Sequence, residues 1–130
     1  MTLYNIFKNI ILEQASQAEI SDAIRNKHVC ELGYEDDSKL GPGKRTIEPV
    51  ALGLSKRNNK VLRAYQTEGL SLKVNEEGIP LPDWRLFRLD RIKSFKPKMV
   101  DGAFEDFSKP PLYNPFGDKS MNRVLLNAKF

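Results

Sequence analysis

Cysteine and histidine are almost absent from this sequence, which contains one of each, Cys30 and His28. One cysteine cannot form an internal disulfide, and its isolation favours a reducing compartment. The two side chains can face the same side of a strand, but the sequence offers no further pair of ligands for the four that a zinc site needs. A buried thiol and a surface imidazole are the simpler expectation. We therefore predict no disulfide and no metal site.

Long hydrophobic runs are also missing. The longest lies near residues 10–12, far short of the roughly 20 apolar residues of a membrane-spanning helix. The N-terminal stretch lacks the basic start and the small-residue cleavage site of a secretory signal. From these two absences we predict a cytoplasmic protein with no membrane partner.

The familiar catalytic motifs are absent as well. The stretch GPGKRT at residues 41–46 has residue types of a phosphate-binding P-loop, but its spacing is wrong and no helix is predicted after it. No Gly-x-Ser-x-Gly nucleophile elbow occurs. The acidic residues at 35–37 lie in a predicted loop, and a magnesium site there would need further oxygen ligands. We predict that the protein is not an enzyme, has no catalytic residues and uses no cofactor.

The sequence does contain an uneven distribution of charge. The chain has 130 residues, 40% of them hydrophobic, which suits one domain with a modest core. Its net charge of +4 favours an anionic partner only slightly. Acidic residues gather at 31–37 and 101–106, whereas basic residues gather at 56–63 and 84–98. Segregation of this kind is typical of a surface that binds a charged partner, with plain solvation as the alternative.

The pattern of apolar residues predicts helices followed by strands. Residues 3–26 have helical spacing, and a second short helix is predicted from Ser16 to about Lys27. From His28 the period changes to two, which predicts strands at 28–34, 45–55, 60–68 and 84–89. Pro49 requires an edge position or a bulge in its strand. The predicted fold class is α+β: a small, strongly bent antiparallel sheet or partly open barrel, preceded by one or two short helices.

On this basis we divide the chain into three parts. Residues 1–27 form an N-terminal helical segment and residues 28–98 a β-rich domain. Residues 99–130 form an extended C-terminal tail with a final short strand as a possibility. The tail is rich in proline and aromatic residues between 104 and 116, and we expect it to pack along the domain.

The basic stretch WRLFRLDRIKSFKPK at residues 84–98 interleaves arginines with aromatic side chains. Alternation along a strand predicts Arg85 and Phe87 on one face, with Arg91 beyond them, and Trp84 and Arg88 on the other. A guanidinium can hold a phosphate in bidentate fashion, and an aromatic ring can stack on a base. The alternative is that the aromatic residues belong to the core and the arginines extend outward to solvent.

Neighbouring predicted strands add Arg45, Arg63 and Tyr65. If these strands pair in a small barrel, we expect four arginines to converge on one surface. They are Arg45, Arg63, Arg85 and Arg88.

The order of four segments resembles the WYL domain family. The segments are AIRNKHVCELGY, RTIEPVALGLS, VLRAYQ and WRLFRLDRI. The most specific pieces are RTIEP and FRLDRI, and the resemblance covers about residues 22–98 and, more weakly, the end of the tail. The Trp-Tyr-Leu triplet that names the family falls at residues 60–62, where only Leu62 matches.

The resemblance implies an Sm-like β-barrel at residues 28–98 that binds or senses a negatively charged ligand, often nucleic acid or a nucleotide. Family members commonly follow a helix-turn-helix DNA-binding domain in bacterial transcription regulators. Fewer than 30 residues precede the predicted barrel here, which suggests a stand-alone module, for example from a phage. Carried over by position, the ligand surface includes Tyr34, Arg45, Phe87, Arg88 and Arg91.

Three functional hypotheses follow. The first is a module that binds single-stranded DNA or RNA, with arginines on the phosphates and Tyr65 and Trp84 stacking on bases. The second is a sensor of a nucleotide-type small molecule that uses the same arginines. The third is a protein-interaction subunit of a polymerase or virion assembly, and exposed strand edges also allow a homodimer. The candidate binding residues are Tyr34, Arg45, Arg63, Tyr65, Trp84, Arg85, Phe87, Arg88 and Arg91.

Overall fold

A computed structural model describes residues 17–35, 43–69, 81–114 and 119–130. Residues 17–26 form helix α1, in the place where the second short helix is predicted. Helical spacing puts Ile20, Ala23 and Ile24 on one face of this helix, and all three are buried. The first predicted helix and Ser16, where the second is predicted to begin, lie outside the described residues.

The strands are antiparallel, and most of them join one sheet. Their bounds are β1 Cys30–Tyr34, β2 Gly43–Ser55, β3 Lys60–Gly69, β4 Asp83–Arg88, β5 Ile92–Pro97, β6 Met99–Val100, β7 Ala103–Phe104 and β8 Met121–Asn127, with a 3-10 turn, η1, at Leu89–Arg91. The main sheet has the order β4-β3-β2-β1-β5, and β8 pairs with the second half of β2. Strands β6 and β7 form a separate hairpin.

Strand β2 is central, although it contains Pro49. It pairs with β3 on one side and with β1 and β8 on the other. The register with β3 shifts between Pro49 and Ala51, so the proline lies at a bulge. Of the two positions that the sequence allowed for Pro49, the bulge is therefore correct and the edge is wrong.

The main sheet bends so far that its two halves face each other. In the strand register Arg45 lies opposite Gly69, whereas Phe87 lies opposite Leu62, which is seven residues away on β3. Seven extended residues span about 23 Å, yet the Arg45 guanidinium carbon is 5.6 Å from the centre of the Phe87 ring. A flat sheet cannot bring these side chains together, so the sheet folds over itself.

This architecture confirms the predicted α+β class with a bent antiparallel sheet. It does not establish a closed barrel, because β4 and β5 are the two ends of the strand order and do not pair within the described part of the chain. A hydrogen bond nevertheless joins the two halves: the Arg88 backbone N–H donates to Tyr34 Oη on β1 at 3.0 Å.

The core lies inside the bend and is covered in part by α1. Leu32, Ile47, Leu62 and Phe87 are at most 2% exposed and belong to the same buried cluster as the α1 side chains. Cys30 lies in this core, and burial raises the pKa of its thiol to about 12. A thiol with this pKa stays protonated and unreactive at neutral pH.

The C-terminal tail packs on the domain. Residues 107–110 and 113–114 have no regular structure, and Trp84 Nε1–H donates to the Pro111 carbonyl at 2.9 Å. The final strand that the sequence allowed is present as β8. The domain boundaries at residues 27 and 98 stay predictions. Strand β8, which lies beyond residue 98, joins the main sheet by pairing with β2.

Within the described residues, no helix has both the length and the hydropathy needed to cross a membrane.

Candidate ligand-binding site

Three of the predicted binding residues are in direct contact inside the bend of the sheet. We call Tyr34, Arg45 and Phe87 the inner cluster. The Arg45 guanidinium carbon lies 5.1 Å from the centre of the Tyr34 ring and 5.6 Å from that of Phe87. The two rings meet edge to face at 5.0 Å. These distances fit cation–π contacts of one guanidinium with two rings.

The local sequence explains why these side chains turn inward. Tyr34 follows Leu32 by two residues on β1, and Arg45 precedes Ile47 by two on β2, so each shares the buried face of its strand. Only 6% of Arg45 is exposed. Removing a guanidinium from water is costly, and the two ring faces recover part of that cost.

Two further arginines flank Tyr34 through backbone hydrogen bonds. The N–H of Arg88 donates to Tyr34 Oη at 3.0 Å, and the carbonyl of Arg91 accepts from the Glu35 N–H at 3.0 Å. Turn η1 connects the two arginines, so it lies beside the end of β1. The Arg88 side chain binds Asp90 in bidentate fashion, with Nε–Oδ1 at 3.1 Å and Nη2–Oδ2 at 2.6 Å.

Arg85 is buried on the same face of β4 as Phe87. It is 7% exposed, and its Nη1 donates to Asp83 Oδ2 at 3.0 Å and to the Trp84 carbonyl at 2.9 Å. The predicted alternation along β4 is thereby confirmed, since Trp84, Leu86 and Arg88 are more exposed than Arg85 and Phe87. Arg91 departs from it, because η1 ends the strand.

The remaining predicted residues form a second group, on the other face of the sheet. We call Arg63, Tyr65 and Trp84 the outer cluster. Tyr65 and Trp84 are cross-strand partners whose rings meet edge to face at 5.2 Å. The pKa of Tyr65 is raised by burial and by the charges of Glu48 and Asp83. The aromatic pair therefore lies near carboxylates, which disfavour a phosphate backbone.

The predicted convergence of four arginines is wrong. Arg63 lies opposite Leu86 in the strand register and Arg85 lies opposite Ala64, so Arg63 and Arg85 are on opposite faces of the sheet. Arg45 and Arg85 are on the buried face, whereas Arg63 is only partly buried. Alternation alone assigned the faces within β4, but only the pairing register relates one strand to the next.

The basic stretch at residues 84–98 is also less positive in space than in sequence. At least five of its six cations have a carboxylate within 4.0 Å. The pairs among the described residues include Arg85–Asp83, Arg88–Asp90, Lys93–Glu35, Lys96–Glu31 and Lys98–Glu105. Apart from Arg85–Asp83, whose arginine is buried, these pairs are largely open to solvent and contribute about 0–1 kcal/mol each. A phosphate can therefore displace such a carboxylate, although the long-range attraction of a polyanion is reduced.

Sequence reasoning missed two residues next to the site. Asp90 lies within the basic stretch and has no predicted role, yet it holds the Arg88 side chain. Gln66 is fully buried on β3, where its Nε2 donates to the Glu68 carbonyl at 3.2 Å. Its position in the alternating series Leu62, Ala64, Gln66 is a signal that could have placed it on the buried face.

The structure gives no support for a metal site in the part of the chain that it describes. No group of three or more histidine, cysteine, aspartate or glutamate side chains there could hold a metal ion. His28 Nδ1 instead lies 2.8 Å from Asp106 Oδ1, and its ring stacks on Phe104. Non-enzymatic function stays a prediction.

Comparisons with known proteins agree with this architecture. The family model described as WYL domain matches residues 16–97. Among solved structures, proteasome accessory factor B/C (PafBC) of Arthrobacter aurescens is similar, with a TM-score of 0.51 and 21% sequence identity. The match covers 78% of this chain and 13% of that protein, so the likeness concerns the fold of one part of it. No curated protein gives a significant match.

Proposed function

The chain belongs to the WYL domain family, and we propose that it is a non-enzymatic regulatory module that binds an anionic ligand of nucleotide type. Such a ligand combines a phosphate, which arginines bind, with a base, which aromatic rings can contact. Both a free nucleotide and short single-stranded nucleic acid present this chemistry. The dependence of affinity on ligand length and on salt distinguishes these two sources.

The observation that carries the proposal is the inner cluster. Arg45 is 6% exposed and its guanidinium lies over two aromatic rings, so the charge is oriented by these contacts in a region of low dielectric. A phosphate that reaches it gains more from the interaction than it would at an exposed lysine. The backbone groups of Arg88 and Arg91 bind the end of β1 at Tyr34 and Glu35, and we propose that the two side chains supply outer contacts to the same ligand, with Arg88 exchanging Asp90 for it.

The burial of Arg45 and Arg85 also bears on the size of the ligand. Neither arginine offers more than 7% of its surface to solvent. An extended strand can contact them only by inserting one phosphate or one terminal nucleotide. A compact ligand is therefore favoured over a long polyanion that lies across the sheet.

The same arrangement supports an Sm-like barrel as the frame of the site. The sheet folds over itself, η1 reverses the chain between β4 and β5, and the Arg88–Tyr34 hydrogen bond joins the two halves. We propose that the barrel is closed at this end by this bond between the Arg88 backbone and the Tyr34 side chain, and not by strand pairing.

A second mode of binding is favoured by the outer cluster. Single-stranded nucleic acid could stack on the Tyr65–Trp84 pair, with Arg63 on a phosphate. The carboxylates of Glu48 and Asp83 near Tyr65 oppose this mode. A role in protein assembly has less support, because the tail that suggested it contacts its own sheet through Trp84 and Pro111.

The test compares ligands of different length on one set of variants. A fluorescently labelled mononucleotide and labelled single-stranded oligonucleotides are titrated by anisotropy at two salt concentrations. Arg88→Ala and Arg45→Lys alter the site. Arg123→Ala is the control for Arg88→Ala, because it removes the same charge from the exposed surface of β8. Thermal melting of each variant checks that it is folded.

We expect the two site variants to weaken binding by about tenfold, the effect of losing one hydrogen bond to a charged group, and the control to bind normally. If the ligand is a free nucleotide, longer strands bind no more tightly and salt has a small effect. If it is single-stranded nucleic acid, affinity rises with length and falls steeply with salt. Equal binding by all variants, or no binding of any of these ligands at low salt, contradicts the proposal.

A further inference from the structure

A cavity on the outer face of the sheet lies apart from the inner cluster. Its volume is about 350 Å³, and its floor is formed by Val50, Ala51, Arg63 and Trp84 of strands β2, β3 and β4. One wall is the tail around Tyr113, and the other is β8 together with the residues that precede it. Ligand pockets have volumes of roughly 300–1,000 Å³, so this one suits a compact molecule.

Hydrogen bonds hold both walls in place. Trp84 Nε1–H donates to the Pro111 carbonyl at 2.9 Å and thereby fixes the start of the tail wall to the floor. Tyr113 Oη donates to the Ala128 carbonyl at 2.6 Å, and the Ala128 N–H donates to the Val50 carbonyl at 2.7 Å. The cavity is therefore built by specific contacts between the tail, β8 and the sheet, and does not depend on a single side chain.

The lining has a definite chemical character. Trp84, Tyr113 and Val124 provide apolar and aromatic surface, while Arg63 and Lys119 are cationic. None of the described residues that line the cavity is acidic. Burial raises the pKa of Tyr113, in agreement with an apolar wall at this position.

The rim includes an unusual backbone conformation. Leu112 has a φ of 60° and is 93% exposed, although leucine is a bulky apolar residue. Leucine is rarely found with positive φ, and strain of this kind is often kept at ligand sites. An apolar side chain at the rim is suited to cover a ligand that occupies the cavity.

We infer that this cavity is a second ligand site, for a compact carboxylate with a flat apolar body. The apolar body would lie on Trp84 and Val124, and the carboxylate would bind Arg63 and Lys119. A ligand in this position contacts the sheet, the tail and β8 together, so it stabilises the folded chain by mass action. The inference does not depend on ligand binding at the inner cluster.

The probe for the test is 3-phenylpropionate, and its neutral isostere 3-phenylpropionamide is the matched comparison. Trp84 is the single tryptophan of the chain and lies on the cavity floor, so its fluorescence reports binding at the site. The melting temperature gives an independent measurement. Lys119→Gln and Arg63→Gln remove the cations, Val124→Phe fills the cavity from an edge strand, and Arg57→Gln is the charge control on an exposed turn.

We expect saturable binding of the carboxylate, with a rise in melting temperature, and about tenfold weaker binding of the amide. Each cation variant should show a loss of similar size, Val124→Phe should abolish binding, and Arg57→Gln should bind like the wild type. Lys119 is exposed, so its variant tests the inference even if Arg63→Gln does not fold. Equal binding of the amide, normal binding by Val124→Phe and Lys119→Gln, or no saturable change in Trp84 fluorescence would overturn the inference.

Discussion

The inner and outer clusters each combine one arginine with two aromatic residues, on opposite faces of one sheet, and they differ in the surroundings of the arginine. Arg45 lies over the Tyr34 and Phe87 rings and is 6% exposed. In the outer cluster, Tyr65 and Trp84 contact each other, and Arg63 lines an open cavity. Composition alone does not distinguish a buried, oriented cation from a cation that lines a cavity. Strand register and neighbouring carboxylates do.

The largest expected difference between the clusters concerns stability. Phe87 is 1% exposed, so Phe87→Ala should lower the free energy of unfolding by about 3–5 kcal/mol, as the loss of a buried aromatic ring does. Trp84 is only partly buried, and Trp84→Ala should cost about 1–2 kcal/mol. Urea denaturation measures both. Similar losses for the two variants would remove the distinction between a core cluster and a surface cluster.

The next expected effect tests whether β8 can be disturbed while the inner cluster stays intact. A Cβ at Gly53 would overlap the Arg123 carbonyl oxygen and would lie 2.7 Å from Met121 Sδ. Gly53→Ala should therefore push β8 away from β2 and cost about 1–3 kcal/mol. Hydrogen exchange should become faster in β8 and in its partner residues on β2.

The same variant should leave the amide protection of β1 and η1 largely unchanged. Equal loss of protection in β1 and η1 would show that these elements and β8 unfold as one unit.

A smaller effect compares two tyrosine hydroxyl groups. Tyr34 Oη accepts the Arg88 N–H across the bend, so Tyr34→Phe leaves that donor without its bond and should cost about 1–2 kcal/mol. Tyr65→Phe should change stability by less than about 0.5 kcal/mol, because its main contact is the edge of the Trp84 ring. Thermal or urea unfolding of the pair measures the difference, and equal effects would contradict a bridging role for Tyr34.

The smallest effect depends on pH and concerns Glu48, the cross-strand partner of Tyr65. Burial, with a contribution from Glu105, raises the pKa of Glu48 above 4.5 in the folded state. The ionised form is therefore disfavoured on folding, and its cost is complete above the folded-state pKa and absent well below 4.5. Glu48→Gln should raise the melting temperature at pH 7, and this gain should disappear as the pH falls below 4.5.

A constant difference between Glu48→Gln and the wild type at all pH values would exclude titration of Glu48 as its cause.

The sequence predicted the elements better than their arrangement. Alternation puts Cys30, Leu32 and Tyr34 on one face of β1, helical spacing puts Ile20, Ala23 and Ile24 on one face of α1, and all six residues are buried. Pro49 indicated a bulge or an edge, and the structure has the bulge. These features depend on residues near one another in the chain, which periodicity describes well.

The arrangement of the site depends on contacts between distant residues. Arg45 reaches Phe87 only because the sheet bends, and Lys96 is neutralised by Glu31 from another strand. Strand β5 was not predicted as a strand, because its sequence IKSFKP alternates only weakly; Phe95 is the one buried residue of its six. Neither register nor the pairing of distant charges can be obtained from the pattern of a single segment.

The most direct test of the central claim asks which cluster the nucleotide-type ligand contacts. A labelled single-stranded dinucleotide is titrated by anisotropy against Arg45→Lys and Trp84→Phe, with melting temperatures to confirm that both variants fold. We predict that Arg45→Lys weakens binding by about tenfold, because the planar contact with two rings is lost, and that Trp84→Phe binds within about twofold of the wild type. Loss of binding by Trp84→Phe together with normal binding by Arg45→Lys would contradict the account and would assign the ligand to the outer cluster.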